Sequence, residues 1–241
     1  MSKNIPGCVS MKGSSVCTGT VFQNYMAWVD PAANVFYDLS TFDAHMKTWI
    51  DDSTTFASQM TNSYQCPGWT GAGLRYHITA YCGVFAYMGS MKNCSAQTNT
   101  ASAILTPVCQ ATVTNFITSW KEVMSNPSVC SASPTPDGAD GRSKYLALFT
   151  QLNQMSNSGC TVAVDLDADT FCGYKTLDDG QKYCQTNWDP CCAYNGLTQV
   201  LPSPPAPVAT TTPTPASPAG AAIPICQLLL VVELQSYCSL S

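Results

Sequence analysis

Gly73-Leu-Arg-Tyr-His-Ile-Thr-Ala-Tyr-Cys-Gly-Val-Phe-Ala-Tyr-Met-Gly-Ser-Met91 decides the fold of this chain. It reads as a helix that is apolar around most of its circumference, and such a helix has to be buried on much of its surface. The stretch before it shows the one-sided version of the same period. Ser40-Thr41-Phe42-Asp43 is followed by Met46, Trp49/Ile50, Phe56 and Met60, so apolar residues recur every three or four positions. Ser40 is placed to cap this long helix, and Asp43, three residues on, gives a capping-box-like start.

Two further helices follow by the same reading. Ile104 to Met124 is one, with Pro107 tolerated only in its first turn. Lys144 to Met155 is the other. Val162 to Val164 reads as a short strand, and Phe171 to Cys192 as a stapled loop. The expected class is mainly α: a disulfide-stapled helical domain with irregular loops and at most a minor β-hairpin.

The staples are cysteines. The chain has 241 residues and 14 Cys. Twelve lie between the first and the adjacent pair: Cys8, Cys17, Cys66, Cys82, Cys94, Cys109, Cys130, Cys160, Cys172, Cys184, Cys191 and Cys192. Structural zinc needs closely paired ligands repeated at a second place, and these spacings are irregular. No C-x-x-C occurs, which argues against a thioredoxin-type site, and His45 and His77 are the only histidines. Six disulfides are therefore expected, and with them an oxidising compartment: extracellular or cell-surface, through the secretory pathway.

Charge is sparse. Charged residues make up 10% of the chain, the net charge is -5, and the ten Lys and Arg form no cluster. A nucleic-acid partner would need such a basic patch. The amino terminus, MSKNIPGCVSMKGSS, carries no apolar stretch of signal-peptide length, so a leader is expected to have been trimmed or lost. A thiol-rich cytosolic protein is the alternative.

Three regions follow. Residues 1–196 form the cysteine-rich domain. Residues 197–222, LTQVLPSPPAPVATTTPTPASPAGAA, form an extended Pro/Thr/Ser-rich stalk with O-glycosylation acceptors at Thr210, Thr211, Thr212, Thr214 and Ser217. Residues 223–241 form a short apolar tail. Ile223 to Val232 is half the length of a membrane span, so it reads as the remnant of an anchor, and membrane attachment runs through a truncated or missing segment. Cys226 and Cys238 fall in this tail, outside the folded domain. Asn93-Cys94-Ser95 is a formal N-glycosylation sequon.

Few residues offer chemistry. Thr161-Val-Ala-Val-Asp165-Leu-Asp167-Ala-Asp169-Thr170 resembles the D-x-D nucleophile strand of haloacid-dehalogenase-type phosphatases, yet too little chain follows to build that parallel α/β domain. The alternate aspartates Asp165, Asp167 and Asp169 are calcium candidates. The calcium-loop pattern wants Gly and Glu where Thr170 and Thr176 stand, and the plain reading is a solvated acidic loop. His77 lacks a recognisable nucleophile partner, with no G-x-S-x-G in the chain, and reads as packed. Asp51-Asp52 and Asp178-Asp179 are sequence neighbours, which says nothing of the facing geometry a glycosidase pair needs. No catalytic residue and no cofactor is expected.

The cysteine ladder resembles the ectodomains of fungal single-pass cell-surface proteins, some of which carry a cytoplasmic Src-homology-3 domain. The matching features are Val16-Cys17, Ser40-Thr41-Phe42-Asp43, Cys66-Pro67-Gly68, Arg75-Tyr76 with Cys82, and Leu105-Thr106-Pro107-Val108-Cys109. The most specific run is Phe171-Cys172-Gly173-Tyr174, Asp179-Gly180, Tyr183-Cys184 and Asp189-Pro190-Cys191-Cys192. Tyr81 to Cys130 is also distantly similar to a Frizzled-type cysteine-rich domain. The resemblance implies a non-enzymatic extracellular module that senses or binds an extracellular ligand or cell-wall component. Two rivals stand beside it: a secreted hydrolase using His77 or the Asp165–Asp169 segment, and a structural wall protein.

Overall fold

The computed structural model describes residues 7–28, 37–48, 53–92, 94, 106–153, 156–167 and 169–197. The fold is mainly helical. In chain order come β1 (Cys8–Ser10), β2 (Met26–Trp28), α1 (Leu39–Met46), α2 (Ser53–Asn62) and α3 (His77–Met91). They are followed by β3 (Thr106–Val108), α4 (Gln110–Ser125), α5 (Pro136–Asn153), β4 (Ser156–Thr161), α6 (Leu177–Thr186) and α7 (Pro190–Tyr194).

Helix α3 is the axle. Every residue from His77 to Gly89 is buried, and the helix packs against β2, β3, α4 and α5. Gly89 shows why a small residue is required. A Cβ there would stand 1.8 Å from the Met26 carbonyl, so only glycine lets the β2 backbone lie against the helix. Around α3 sits an aromatic core. Trp120 of α4 lies 4.3 Å from Tyr145 of α5, and Phe116 lies 4.3 Å from Phe149, centroid to centroid. Each large side chain buried there stabilises by about 1.5–3 kcal/mol.

Two small sheets complete the body. β1 and β2 pair antiparallel, Cys8 opposite Trp28; β3 and β4 pair parallel, with Thr106 opposite Ser156 and Val108 opposite Thr161. The parallel pair goes beyond the minor hairpin expected from sequence.

Several boundaries differ from the sequence expectation. The helix expected from residue 40 to 60 is seen as α1 and α2, on either side of residues 49–52, which lie outside the described residues. The cap of α1 is Asp38, not Ser40: its carboxylate accepts from the Thr41 N–H at 2.8 Å while the Thr41 hydroxyl accepts from the Asp38 N–H at 3.1 Å. Asp43 instead holds the amino-terminal segment, accepting from the Ser14 hydroxyl at 2.5 Å and from the Ser15 N–H and hydroxyl at 2.7 and 2.8 Å. Pro107 lies in β3, and α4 starts at Gln110. α5 starts eight residues before Lys144, at Pro136, where proline's fixed φ suits a first helical position. The strand expected at Val162 to Val164 sits just before it, as β4. The supposed loop from Phe171 to Cys192 is mostly helix, α6 and α7, with Thr176 and Asp189 as side-chain caps.

All twelve cysteines from Cys8 to Cys192 pair. The bridges are Cys8–Cys94, Cys17–Cys82, Cys66–Cys130, Cys109–Cys160, Cys172–Cys191 and Cys184–Cys192. The first four tie segments to the large core. The last two lie in a small cap, Asp169 to Leu197, with its own buried cluster of Cys172, Tyr174, Cys184, Cys192 and Leu197. Leu197 thus belongs to the folded unit, one residue past the expected boundary. The stalk acceptors Thr210, Thr211, Thr212, Thr214 and Ser217, the apolar tail with Cys226 and Cys238, Asn93, and Asp51-Asp52 lie outside the described residues. No helix among the described residues is long and apolar enough to cross a membrane.

Candidate functional site

The residues singled out from sequence go to separate places. His77 opens α3 and is sealed in the aromatic core, stacked on Phe116 at 5.5 Å, with its Nε2 2.9 Å from the Tyr145 hydroxyl. Burial, with the Lys175 charge adding to it, pushes its pKa down to about 3. It is a packed, neutral imidazole held in the core.

The three aspartates do three different jobs. Asp165 is exposed, and its backbone N–H donates to the Thr18 hydroxyl at 3.0 Å. Asp167, expected in a solvated loop, is 3% exposed. Its Oδ2 accepts from the Thr79 N–H at 2.6 Å and the Thr79 hydroxyl at 2.7 Å. It therefore caps the first turn of α3 from ninety residues away in sequence, where the helix dipole favours a carboxylate. Burial raises its pKa to about 6 against the pull of those donors. Asp169 accepts from the Tyr76 hydroxyl at 2.8 Å. Among the described residues the one cluster of metal-ligand type is Cys172, Cys184 and Cys192, whose sulfurs are already joined in disulfides.

Arg75 is the joint between body and cap. It is 4% exposed. Its Nε donates to the Cys172 carbonyl at 2.7 Å, and its Nη1 reaches the Tyr183 hydroxyl at 3.1 Å and Asp189 Oδ2 at 3.2 Å. The guanidinium also lies 4.6 Å from the Tyr183 ring centre. Asp189 is half-buried, which alone would raise its pKa. The donors from the Cys191 N–H, the Tyr183 hydroxyl and Arg75 win, and its carboxyl sits below the ordinary value. Beside this joint, Tyr76 takes a left-handed backbone, φ 52°, and donates its N–H to the Gly173 carbonyl at 2.7 Å. Gly173 has φ +82°, and a Cβ there would stand 2.3 Å from the Tyr76 ring. Only glycine satisfies both demands.

Against this joint opens a cleft of about 480 Å³. One wall is the loop after Cys66, carrying Gly68 and Trp69. A second is the carboxyl-terminal half of α4, with Glu122 and Asn126. The third is α6 with Tyr183, and Tyr174 stands beside it. Asp179, Lys182 and Thr186 also line it. Burial pushes the Tyr183 hydroxyl up to about 12, so it stays protonated. Neither His77 nor any of the 165–169 aspartates is among the lining residues. The aromatic lining went unread in the sequence. Its signal was there: Cys66-Pro-Gly-Trp69-Thr-Gly-Ala-Gly73 puts a tryptophan on a cysteine-anchored loop with three glycines.

Of the other acidic pairs, Asp178 forms an i,i+4 ion pair with Lys182 at 2.6 Å, and Asp179 closes the α6 cap, accepting from the Thr176 hydroxyl at 2.7 Å.

Comparison with protein-family models, with curated proteins and with solved structures found no match. The six disulfides fit an oxidising environment.

Proposed function

We propose that this chain is an extracellular, cell-surface binding module without catalytic activity, and that the cleft between the Trp69 loop, α4 and α6 is its binding site. One observation carries the reading. The aromatic side chains, exposed amides and hydroxyls converge on an open cleft, the usual make-up of a recognition site. The titratable groups suited to proton transfer, His77 and Asp167, are locked in the body. The cysteine ladder's resemblance to fungal surface ectodomains points the same way, as does the Pro/Thr/Ser-rich stretch after Leu197, which suits a stalk that presents the domain.

A hydrolase remains the second reading because Glu122 and Asp179 both line the cleft. Asp179 is occupied as a helix cap, which leaves Glu122 without a second free carboxylate among the described lining residues.

The test is co-sedimentation of the full chain, made in an oxidising host, with fungal cell-wall particles. Saturable retention without release of reducing ends is expected. Steady release of reducing ends would establish the hydrolase reading instead, and no retention would remove the binding one.

A further inference from the structure

Resting on that reading, we infer that the cleft takes a neutral saccharide, stacked on Trp69 and Tyr183 and hydrogen-bonded along the exposed rim of α4 and α6. The first support is how the aromatic groups are presented. The Trp69 indole N–H is already spent on the Ala72 carbonyl at 2.8 Å. The Tyr183 hydroxyl is tied behind the cleft to Asp189 at 2.9 Å and to Arg75. What these side chains can offer a ligand is ring carbon. Tyr174, 5% exposed, backs the half-buried Tyr183 ring at 5.4 Å. Flat apolar rings suit the C–H face of a pyranose, whose hydroxyl edge then needs polar partners. Glu122, Asn126, Thr70 and Thr186 line the same cleft and are exposed.

Charge is the second support. The acidic lining groups are Glu122 and Asp179, and the cation Lys182 is held by Asp178 at 2.6 Å. With a chain charge of -5, a phosphate, sulfate or uronate would be repelled.

Rigidity is the third. The Trp69 loop is pinned by Cys66–Cys130 and by the Gly68 N–H on the Val129 carbonyl at 3.0 Å. A Cβ on Gly68 would stand 2.3 Å from the Ser128 carbonyl, so the loop lies flush against that turn. A wall fixed in advance spares the ligand the entropy of ordering it.

The experiment titrates full-length protein with laminarihexaose, chitotriose, mannotriose, a chitosan trimer and a galacturonate trimer, by calorimetry. A neutral probe is expected to bind best. Trp69→Ala, and Thr186→Arg at an exposed cleft position, should each weaken that binding at least tenfold with far-ultraviolet circular dichroism unchanged; the second variant keeps the test open if the first misfolds. Tighter binding of the chitosan or galacturonate trimer would overturn the neutral assignment. Binding that neither variant weakens would overturn the cleft. Retention on wall particles with no response to any neutral probe would sink the saccharide inference and leave the binding reading standing. Loss of both would end both.

Discussion

The helical body and the carboxyl-terminal cap are both disulfide-stapled, but the staples do different work. In the body, four bridges close spans of 51 to 86 residues around a core that already buries Trp120, Tyr145, Phe116 and Phe149. In the cap, two bridges close spans of 19 and 8 residues around five buried residues, three of them cysteines. On the chain-entropy view Cys8–Cys94 stabilises by roughly 4.5 kcal/mol and Cys184–Cys192 by about 2.5 kcal/mol. The cap's bridges are individually weaker, yet the cap has almost nothing else. It is a short chain segment fixed to the body by Arg75, Tyr76 and Gly173, and the cleft lies against that joint.

Full reduction is the largest perturbation and should erase the distinction. Six bridges at about 2–4 kcal/mol each exceed a typical folding margin of roughly 5–15 kcal/mol. The reduced chain is expected to lose its near-ultraviolet circular dichroism at 37 °C. Thiol titration of denatured, unreduced protein should find no free thiol between Cys8 and Cys192. A reduced body that keeps its tertiary signal would mean the aromatic core folds without staples.

Arg75→Met sharpens the comparison. It takes the guanidinium away from the half-buried Asp189 and removes the donor to the Cys172 carbonyl. Breaking such a pair costs on the order of 3 kcal/mol. Amide exchange in α6 and α7 should accelerate while α3, α4 and α5 stay protected. Uniform acceleration across both regions would show that body and cap form one cooperative unit.

Acid separates the regions by a different route. His77 and His45 are held down to about 3 and about 4, both by burial. Their unfolded forms take up a proton below about 6.5, so the stability from keeping them neutral is complete above that pH and lost as pH falls toward the folded values. By pH 5 His77 accounts for about 2 kcal/mol of loss. Asp167 runs the other way. Its folded value, about 6, lies above the unfolded one, so its contribution is present in acid and lost as pH rises through 6. From pH 7 to 5 it returns about 1 kcal/mol. Asp189 in the cap, lowered, loses its contribution only below about pH 4. The body should therefore soften between pH 7 and 5 while the Arg75 joint holds. His77→Gln should flatten the slope of melting temperature against pH, and an unchanged slope would refute the assignment.

The body was far more legible in sequence than the cap. The period from Phe42 to Met60 and the apolar run after Gly73 follow directly from what a helix must bury. The six bridges were legible as a count, because twelve irregularly spaced cysteines exclude the metal patterns. The cap was not, since α6 is short and carries few apolar residues, Leu177, Tyr183 and Cys184, whose helical spacing is easily read as a polar loop, and it is held by a Thr176 cap and the Cys184 bridge. Asp167 was misread for a related reason. Its donors on Thr79 lie 88 residues away, and no local pattern announces a cap supplied by another segment. The cleft needs three such segments at once, and only the glycine-flanked Trp69 hinted at it.

Removal of residues 198–241 should have the smallest effect. Leu197 is 8% exposed, packs in the cap cluster, and donates its N–H to the Cys192 carbonyl at 2.9 Å. Beyond it the sequence through Ala222 is proline-punctuated and has no apolar face to bury. Truncation after Leu197 is expected to move the melting temperature by less than about two degrees, since surface changes away from packed features stay within about 0.5 kcal/mol. Truncation one residue earlier removes the leucine that closes the five-residue cluster and should cost more, with the loss confined to amide protection in α6 and α7. The two truncations differ by a single residue, so their difference reports the cap core directly. Equal melting temperatures for both would mean that the two bridges, rather than any hydrophobic packing, hold the cap closed.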